Sequence, residues 1–293
     1  FSNNFLSDSK SISEVTKHAF KVGQISFKTI FFCSKRNIYF RENCGEMTNY
    51  LHYKGIEIAY TVHRKKSGAK NVVFLHGFLE RKEIWTDYQT VLAQNYNVIA
   101  IDLLGHGETG CLGYIHTMNE MANMVFAVLK HEKFRKSFIV GHSMGGYVAL
   151  AFGELFPDNT SGICLFNSTA KDDSETKKED RLRAIKVVKK NHELFIKEAI
   201  PNLFADKTNP ELQEDIQKTV QLALSTPKQG IIAALEGMRV RDNKEIILKF
   251  APYPVHFIIG KLDKIVPYDT LLEQSELNPE SKFYLSENGG HLC

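Results

Sequence analysis

The chain lacks most of what would staple, anchor or strongly charge it. Its five cysteines, Cys33, Cys44, Cys111, Cys164 and Cys293, are odd in number and form no CxxC pair. That excludes a disulfide framework or a zinc site as the basis of the fold, and no metal is expected. No apolar run approaches the roughly 18 residues that a membrane-spanning helix needs. The formal net charge is only +3, which gives no reason to expect nucleic acid or an anionic membrane as a partner. No internal repeat is visible. The chain begins at Phe1 rather than at a methionine, and the apolar patch at Ile30, Phe31 and Phe32 is short and flanked by Lys28 and Lys35. A secretory leader needs a longer apolar core and a small-residue cleavage site, so a cytoplasmic chain is expected.

What is present is ordinary for a globular protein: 293 residues, 43% hydrophobic and 24% charged. A chain of this length buries most of its apolar surface on folding. Cys164 lies in the apolar run 163–166 and reads as a small buried hydrophobe. The first 46 residues hold seven Lys/Arg and four Asp/Glu, and the rest of the chain is balanced. They show no sustained period, and Met47 is the first methionine ahead of the ordered pattern. Residues 1–46 are therefore expected to be a non-native or disordered extension.

From residue 49 the pattern sharpens. Residues 49–63 alternate around Gly55 and predict a β-hairpin. Short apolar runs at 71–75, 96–101, 137–140, 163–166, 255–259 and 282–285 suit strands of a parallel sheet covered on both faces. Helical patterns alternate with them. Thr117 to Glu120 is a capping box ahead of Met121, Met124, Val125 and Val128, and residues 144–155 form a second helix. This βαβα order predicts an α/β fold with helices on both faces of the sheet. The rhythm breaks over 169–250, which is helical and charged. Asn209-Pro210 and Thr226-Pro227 each read as N-cap and first residue of a helix, and the Lys/Glu run 171–190 reads as a solvated face. This segment is expected to be a helical lid between 47–168 and 251–293.

The chemistry is carried by four pieces, each after a strand. Gly141-His142-Ser143-Met144-Gly145 is GxSxG between a strand and a helix, where a tight turn lifts a serine hydroxyl clear of the backbone. Glycines at 141 and 145 relieve the crowding, and the helix start favours negative charge. His76-Gly77-Phe78 follows the 71–75 strand and offers the Phe78 N–H, with that of Met144, to an oxyanion. His76 itself reads as a buried hydrogen-bonding residue. Asp263 in GKLD and His291 in GGH complete the chain order Ser, Asp, His. Ser143 is thus the expected nucleophile, His291 the base and Asp263 the acid.

HGFLERKEIW, DLLGHG, GHSMGG, GKLDKIVP and GGH closely resemble the α/β-hydrolase superfamily, in its lid-bearing, esterase-like branch. The resemblance runs from about residue 50 to residue 293. It implies a mostly parallel eight-stranded sheet, catalysis without a cofactor, and a closing helix that would fall beyond Cys293, so that the core is expected to be cut short at its C-terminus. It places Asp102 and Gly105-His106-Gly107 in a structural loop. A serine nucleophile departs from the family's epoxide hydrolases and dehalogenases, which attack with a carboxylate. The acid that some relatives carry after the sixth strand is replaced by Phe166-Asn167-Ser168, which favours Asp263. The expected activity is cleavage of a carboxylic ester, or a related acyl bond, of a small and partly apolar substrate through an acyl-enzyme. Phe78, Trp85 and Tyr147 are the expected substrate-binding side chains, with Leu203, Phe204 and Met238 from the lid. Two alternatives stay open: a carbon–carbon hydrolase or pyruvate-eliminating synthase of the same fold, for which Tyr147 replaces the arginine usual after SMGG, and a non-enzymatic small-molecule receptor.

Overall fold

A computed structural model describes residues 47–65 and 68–292, together with the backbone of a two-residue antiparallel ladder, Lys21–Val22 with Ile25–Ser26. The expectation of an extension over 1–46 otherwise lies outside the described residues.

Eight strands form one sheet: β1 (Asn49–Tyr53), β2 (Ile56–His63), β3 (Asn71–Leu75), β4 (Asn97–Ile101), β5 (Ser137–His142), β6 (Thr160–Phe166), β7 (Val255–Gly260) and β8 (Phe283–Ser286). Their spatial order is β8-β7-β6-β5-β3-β4-β2-β1. The hairpin β1–β2 turns at Lys54 and Gly55, both with positive φ. β2 also runs antiparallel to β4, and every other pairing is parallel. The mostly parallel eight-stranded sheet is therefore observed.

The apolar runs are buried on both faces because alternate residues feed two separate cores. Val73, Leu75, Ile99, Ile101, Ile139 and Leu165 join one core with the apolar faces of α2 (Met118–His131) and α3 (Met144–Leu155). Val72, Phe74, Val98, Ala100, Val140 and Cys164 join the other, covered by Trp85 and by Tyr88 and Leu92 of α1 (Thr86–Leu92). Thr117 caps α2 by accepting the Glu120 N–H at 3.1 Å, as its sequence predicts. Cys164 is free and buried, and burial pushes its thiol up.

Between β6 and β7 the described chain holds helices and no strand: α4 (Glu175–Lys190), α5 (His192–Ala199), α6 (Gln213–Ala223), α7 (Lys228–Arg239) and α8 (Glu245–Phe250). α9 (Tyr268–Ser275) follows β7. Two helix starts differ in detail from expectation. Asn209 accepts the Glu211 N–H at 3.0 Å, but it opens a single 3₁₀ turn, Pro210–Leu212, that runs into α6. Pro227, not Thr226, is the N-cap of α7, because its extended ψ of 141° places the first helical residue at Lys228. Among the described residues no helix is long and apolar enough to cross a membrane.

Adjacent strands β3 and β5 mark the point where the winding of the sheet reverses. Loops leaving their C-terminal ends diverge there and open a crevice, which is where ligands bind in open α/β sheets.

Candidate active site

The elbow after β5 forms because the chain must turn from strand to helix within one residue. Ser143 absorbs the turn at φ 47° and ψ −114°, a region that side chains rarely occupy. A Cβ at Gly141 would strike the Gly145 carbonyl, and one at Gly145 would strike the Leu75 carbonyl. The strained geometry is held by hydrogen bonds from Ser143 N–H to the Phe166 carbonyl (2.9 Å) and from Ser168 Oγ–H to the Ser143 carbonyl (2.7 Å).

Asp263 and His291 come from the turns after β7 and β8. Asp263 is buried; its Oδ1 accepts the Ile265 and Val266 N–H groups at 2.7 and 3.0 Å. Its Oδ2 lies 2.8 Å from His291 Nδ1, and His291 Nε2 lies 2.8 Å from Ser143 Oγ. These partners assign the tautomer: Nδ1–H donates to the carboxylate, leaving Nε2 to accept the serine proton. The three residues separated widely in sequence thus meet in one hydrogen-bonded line.

Four hydrogen-bonded contacts anchor the His291 loop. Asn167 Nδ2 donates to the Gly290 and His291 carbonyls at 3.0 and 2.9 Å, His142 Nε2 lies 2.8 Å from the same His291 carbonyl, and Leu292 N–H donates to the Leu203 carbonyl at 3.0 Å. Asn167 also accepts the Gly260 N–H at 2.7 Å, tying β7 to the loop. It occupies the place where some relatives carry an acid and here acts as a clamp.

His142 is the second feature missed in the sequence. Its Nδ1 lies 2.9 Å from Glu80 Oε2, which also accepts the Gly77 N–H at 2.5 Å. Both ring nitrogens face acceptors, a carboxylate and a carbonyl, so the ring must carry two protons. Burial alone would lower the pKa of His142, but the charge and hydrogen bond of Glu80 outweigh it and raise it. Burial would raise Glu80, but His142 and the Gly77 N–H hold it below the ordinary carboxylate value. A buried ion pair therefore joins the loop after β3, the elbow and the His291 loop. A glutamate three residues after HG was its only sequence signal.

A cavity of about 390 Å³ opens on Ser143 and His291. Phe78, Tyr147, Phe195, Leu203, Leu235 and Met238 supply apolar walls. The Phe78 and Met144 N–H groups have no hydrogen-bond acceptor among the described residues, and Met144 opens α3, where the first amides have no intrahelical partner. Trp85 must be corrected. It is 2% exposed and stacks on Phe74 with ring centroids 4.7 Å apart, in the core layer beneath α1 rather than on the cavity. Its short 3₁₀ turn leads into α1 and carries the ring with it. Phe204 is likewise buried and does not line the cavity.

His76 is buried, with Nδ1 at 2.7 Å from the Gly77 carbonyl and Nε2 accepting the Leu103 N–H at 2.9 Å; burial lowers its pKa to about 4. Asp102 accepts the Lys82 and Glu108 N–H groups and pairs with Lys82 Nζ at 3.1 Å, away from the triad. Among the described residues no group of His, Cys, Asp and Glu is arranged to hold a metal.

The comparisons agree with this architecture. The family model for the alpha/beta hydrolase fold matches residues 70–293. The chain is 27% identical over 229 residues to the dihydrolipoyllysine-residue acetyltransferase component of the acetoin cleaving system of Pseudomonas putida, a match covering 77% of this chain and 59% of that longer protein. It is 23% identical over 280 residues to monoacylglycerol lipase ABHD6 of Homo sapiens, covering 86% of this chain and 79% of the lipase. Among solved structures, a thermophilic esterase from Thermogutta terrifontis superposes with a TM-score of 0.77 at 29% identity, covering 85% of this chain and 92% of the esterase. An esterase from Exiguobacterium antarcticum gives 0.73 at 22% identity over 84% and 92% of the two chains. With its sheet order, its strained serine elbow and a family match over most of its length, the chain belongs to the alpha/beta hydrolase fold family.

Proposed function

We propose that the protein hydrolyses carboxylic esters through an acyl-enzyme. The observation that carries this reading is the line Asp263–His291–Ser143, with both contacts at 2.8 Å, at the floor of a largely apolar cavity. His291 Nε2 accepts the Ser143 proton as Oγ attacks the ester carbonyl. Asp263 keeps the proton on Nδ1 and stabilises the imidazolium that forms. The Phe78 and Met144 N–H groups take up the charge on the tetrahedral oxygen; one such donor is typically worth about 2.7–4 kcal/mol. His291 then protonates the leaving alcohol, and water attacks the acyl-enzyme with the same base. No cofactor enters any step. Phe78 and Tyr147, on either side of the serine, would contact the acyl part.

The test is steady-state turnover of p-nitrophenyl esters of increasing chain length, with active-site titration by a fluorophosphonate. Many turnovers per labelled serine, and labelling at Ser143, are expected. A single stoichiometric burst with no further release would favour a receptor over an enzyme and overturn the proposal.

A further inference from the structure

The wall of the cavity opposite the sheet is one face of α4: Lys177, Asp180, Arg181 and Ala184, spaced i, i+3, i+4 and i+7. Three of the four are charged, which an apolar ester pocket does not require. Arg181 is held most firmly. Its Nε and Nη2 both bond Asp173, whose carboxylate is fully buried. A guanidinium gripped along that edge directs Nη1 the other way. Among the described residues the hydrogen bonds of Arg181 engage Nε and Nη2 only, and the side chain lines the cavity with 13% of its surface exposed.

Asp173 does not neutralise this arginine. The same carboxylate binds Arg241 Nη1 at 2.8 Å, and Arg241 is further fixed by the Met238 and Lys171 carbonyls and by stacking 4.1 Å over the Tyr147 ring. Two guanidinium groups share one carboxylate, so one positive charge is left over. Arg241 spends both terminal nitrogens on protein acceptors, whereas Arg181 keeps one for the cavity. The other charges on the cavity do not cancel it. Glu80 is committed to His142, and Asp180 accepts from Arg183 at 2.5 Å outside. Lys177 adds a second cation one turn before Arg181, its Nζ 3.3 Å from the Ile265 carbonyl.

We propose that Arg181 is a substrate-binding residue and that the ester accepted by this cavity carries a free carboxylate, as a half-ester of a dicarboxylic acid does. This rests on the serine-hydrolase reading and names its substrate class. The buried Asp173 fixes the guanidinium in advance, so little side-chain entropy is lost when an anion docks. The leftover charge and the partial desolvation favour a monoanion at that edge, and the apolar walls take the methylene chain between it and the ester.

The experiment compares kcat/KM for monoethyl adipate with that for ethyl hexanoate, an uncharged ester of the same acyl length, following acid release in a pH-stat. The half-ester is expected to be preferred on the order of tenfold or more, chiefly through KM, as one charge-assisted hydrogen bond implies. The preference should collapse in Arg181→Met, survive in part in Arg181→Lys, shrink with added salt, and persist in Lys189→Met, an exposed charge change on the same helix. Absence of any preference in the parent protein, or an equal loss on both esters in Arg181→Met, would overturn the proposal, the latter reducing Arg181 to a brace for α4. If these esters and the nitrophenyl esters all fail to turn over, the hydrolase reading falls, and this one with it.

Discussion

At the scale of single residues, the buried aspartates Asp263 and Asp102 should separate chemistry from stability. Ser143→Ala removes the proposed nucleophile and should cost on the order of 10⁶ in kcat; retention of a tenth of the activity would refute the assignment. Asp263→Asn should fold normally but lose about 10⁴ in kcat, because the amide favours the wrong His291 tautomer. Asp102→Asn should do the reverse. It removes one of three carboxylates around the buried Lys82 ammonium, with Glu83 and Glu108 remaining at 2.9 and 2.7 Å, and leaves an amide where two backbone N–H groups need acceptors, a loss on the order of 1–3 kcal/mol. Thermal melting and ester turnover of the two variants, side by side, decide the matter. The Glu80–His142 pair makes a pH prediction. Glu80 is held low, so its stabilising charge is complete above the ordinary carboxylate value and is lost as pH falls through its lowered value. His142 is raised, so its contribution is complete below the ordinary imidazole value and is lost as pH rises through its raised value. The pair is intact across neutrality, with His76, Asp263 and His291 as the other titratable groups around it. kcat should decline on the alkaline side as the Nε2–H to the His291 carbonyl is given up, and Glu80→Gln should move that decline to lower pH. Superimposable alkaline limbs would show that the pair does not position the base.

At the scale of elements, α7 shows where local preference and tertiary packing oppose each other. Gly230 and Gly237 lie inside this helix, where glycine costs about 1 kcal/mol relative to alanine. Propensity alone says that Gly237→Ala should stabilise. In the folded chain a Cβ at Gly237 would overlap the His116 carbonyl, and one at Gly230 the Gly105 carbonyl. The loop after β4 is bolted to α7 at this point, His116 N–H donating to the Ala233 carbonyl at 2.9 Å. Both Gly→Ala changes should therefore lower the melting temperature, and a rise in either would show that the helix is free to move off the loop. α4 teaches a related point. The Lys/Glu run reads as solvated, and much of it is, yet the same charged helix presents Lys177 and Arg181 to the cavity. Charge alone did not say which side of the helix faced water.

At the scale of the whole molecule, acid should unfold the protein well before its carboxylates have all titrated. His76, His106, His116 and His256 are completely buried. Burial lowers their pKa values to about 4, 3, 4 and 4 respectively. For His76, His116 and His256, a ring nitrogen also accepts a backbone N–H, so a proton there would displace a hydrogen bond. The unfolded chain takes up these protons near pH 6.5, so stability falls as pH drops from there toward 4, by several kcal/mol in total if the four act together. A melting temperature constant between pH 7 and 4.5 would contradict this. What the sequence determined by itself was whatever depends on near neighbours: the alternating hairpin and the short apolar runs that became strands, the Thr117 cap, the crowding around Ser143 that demands glycine, and the order of Ser143, Asp263 and His291 at strand ends. These follow from backbone sterics and hydrophobic alternation, which operate over a few residues. Only the tertiary structure decided which of two cores each aromatic joined, and so sent Trp85 beneath α1 and Phe78 to the cavity. It alone brought Glu80 to His142, Asn167 to the His291 carbonyl and Arg181 to the serine's cavity. Those contacts join residues far apart in the chain, and a buried charge shows its purpose only when its partners are in place.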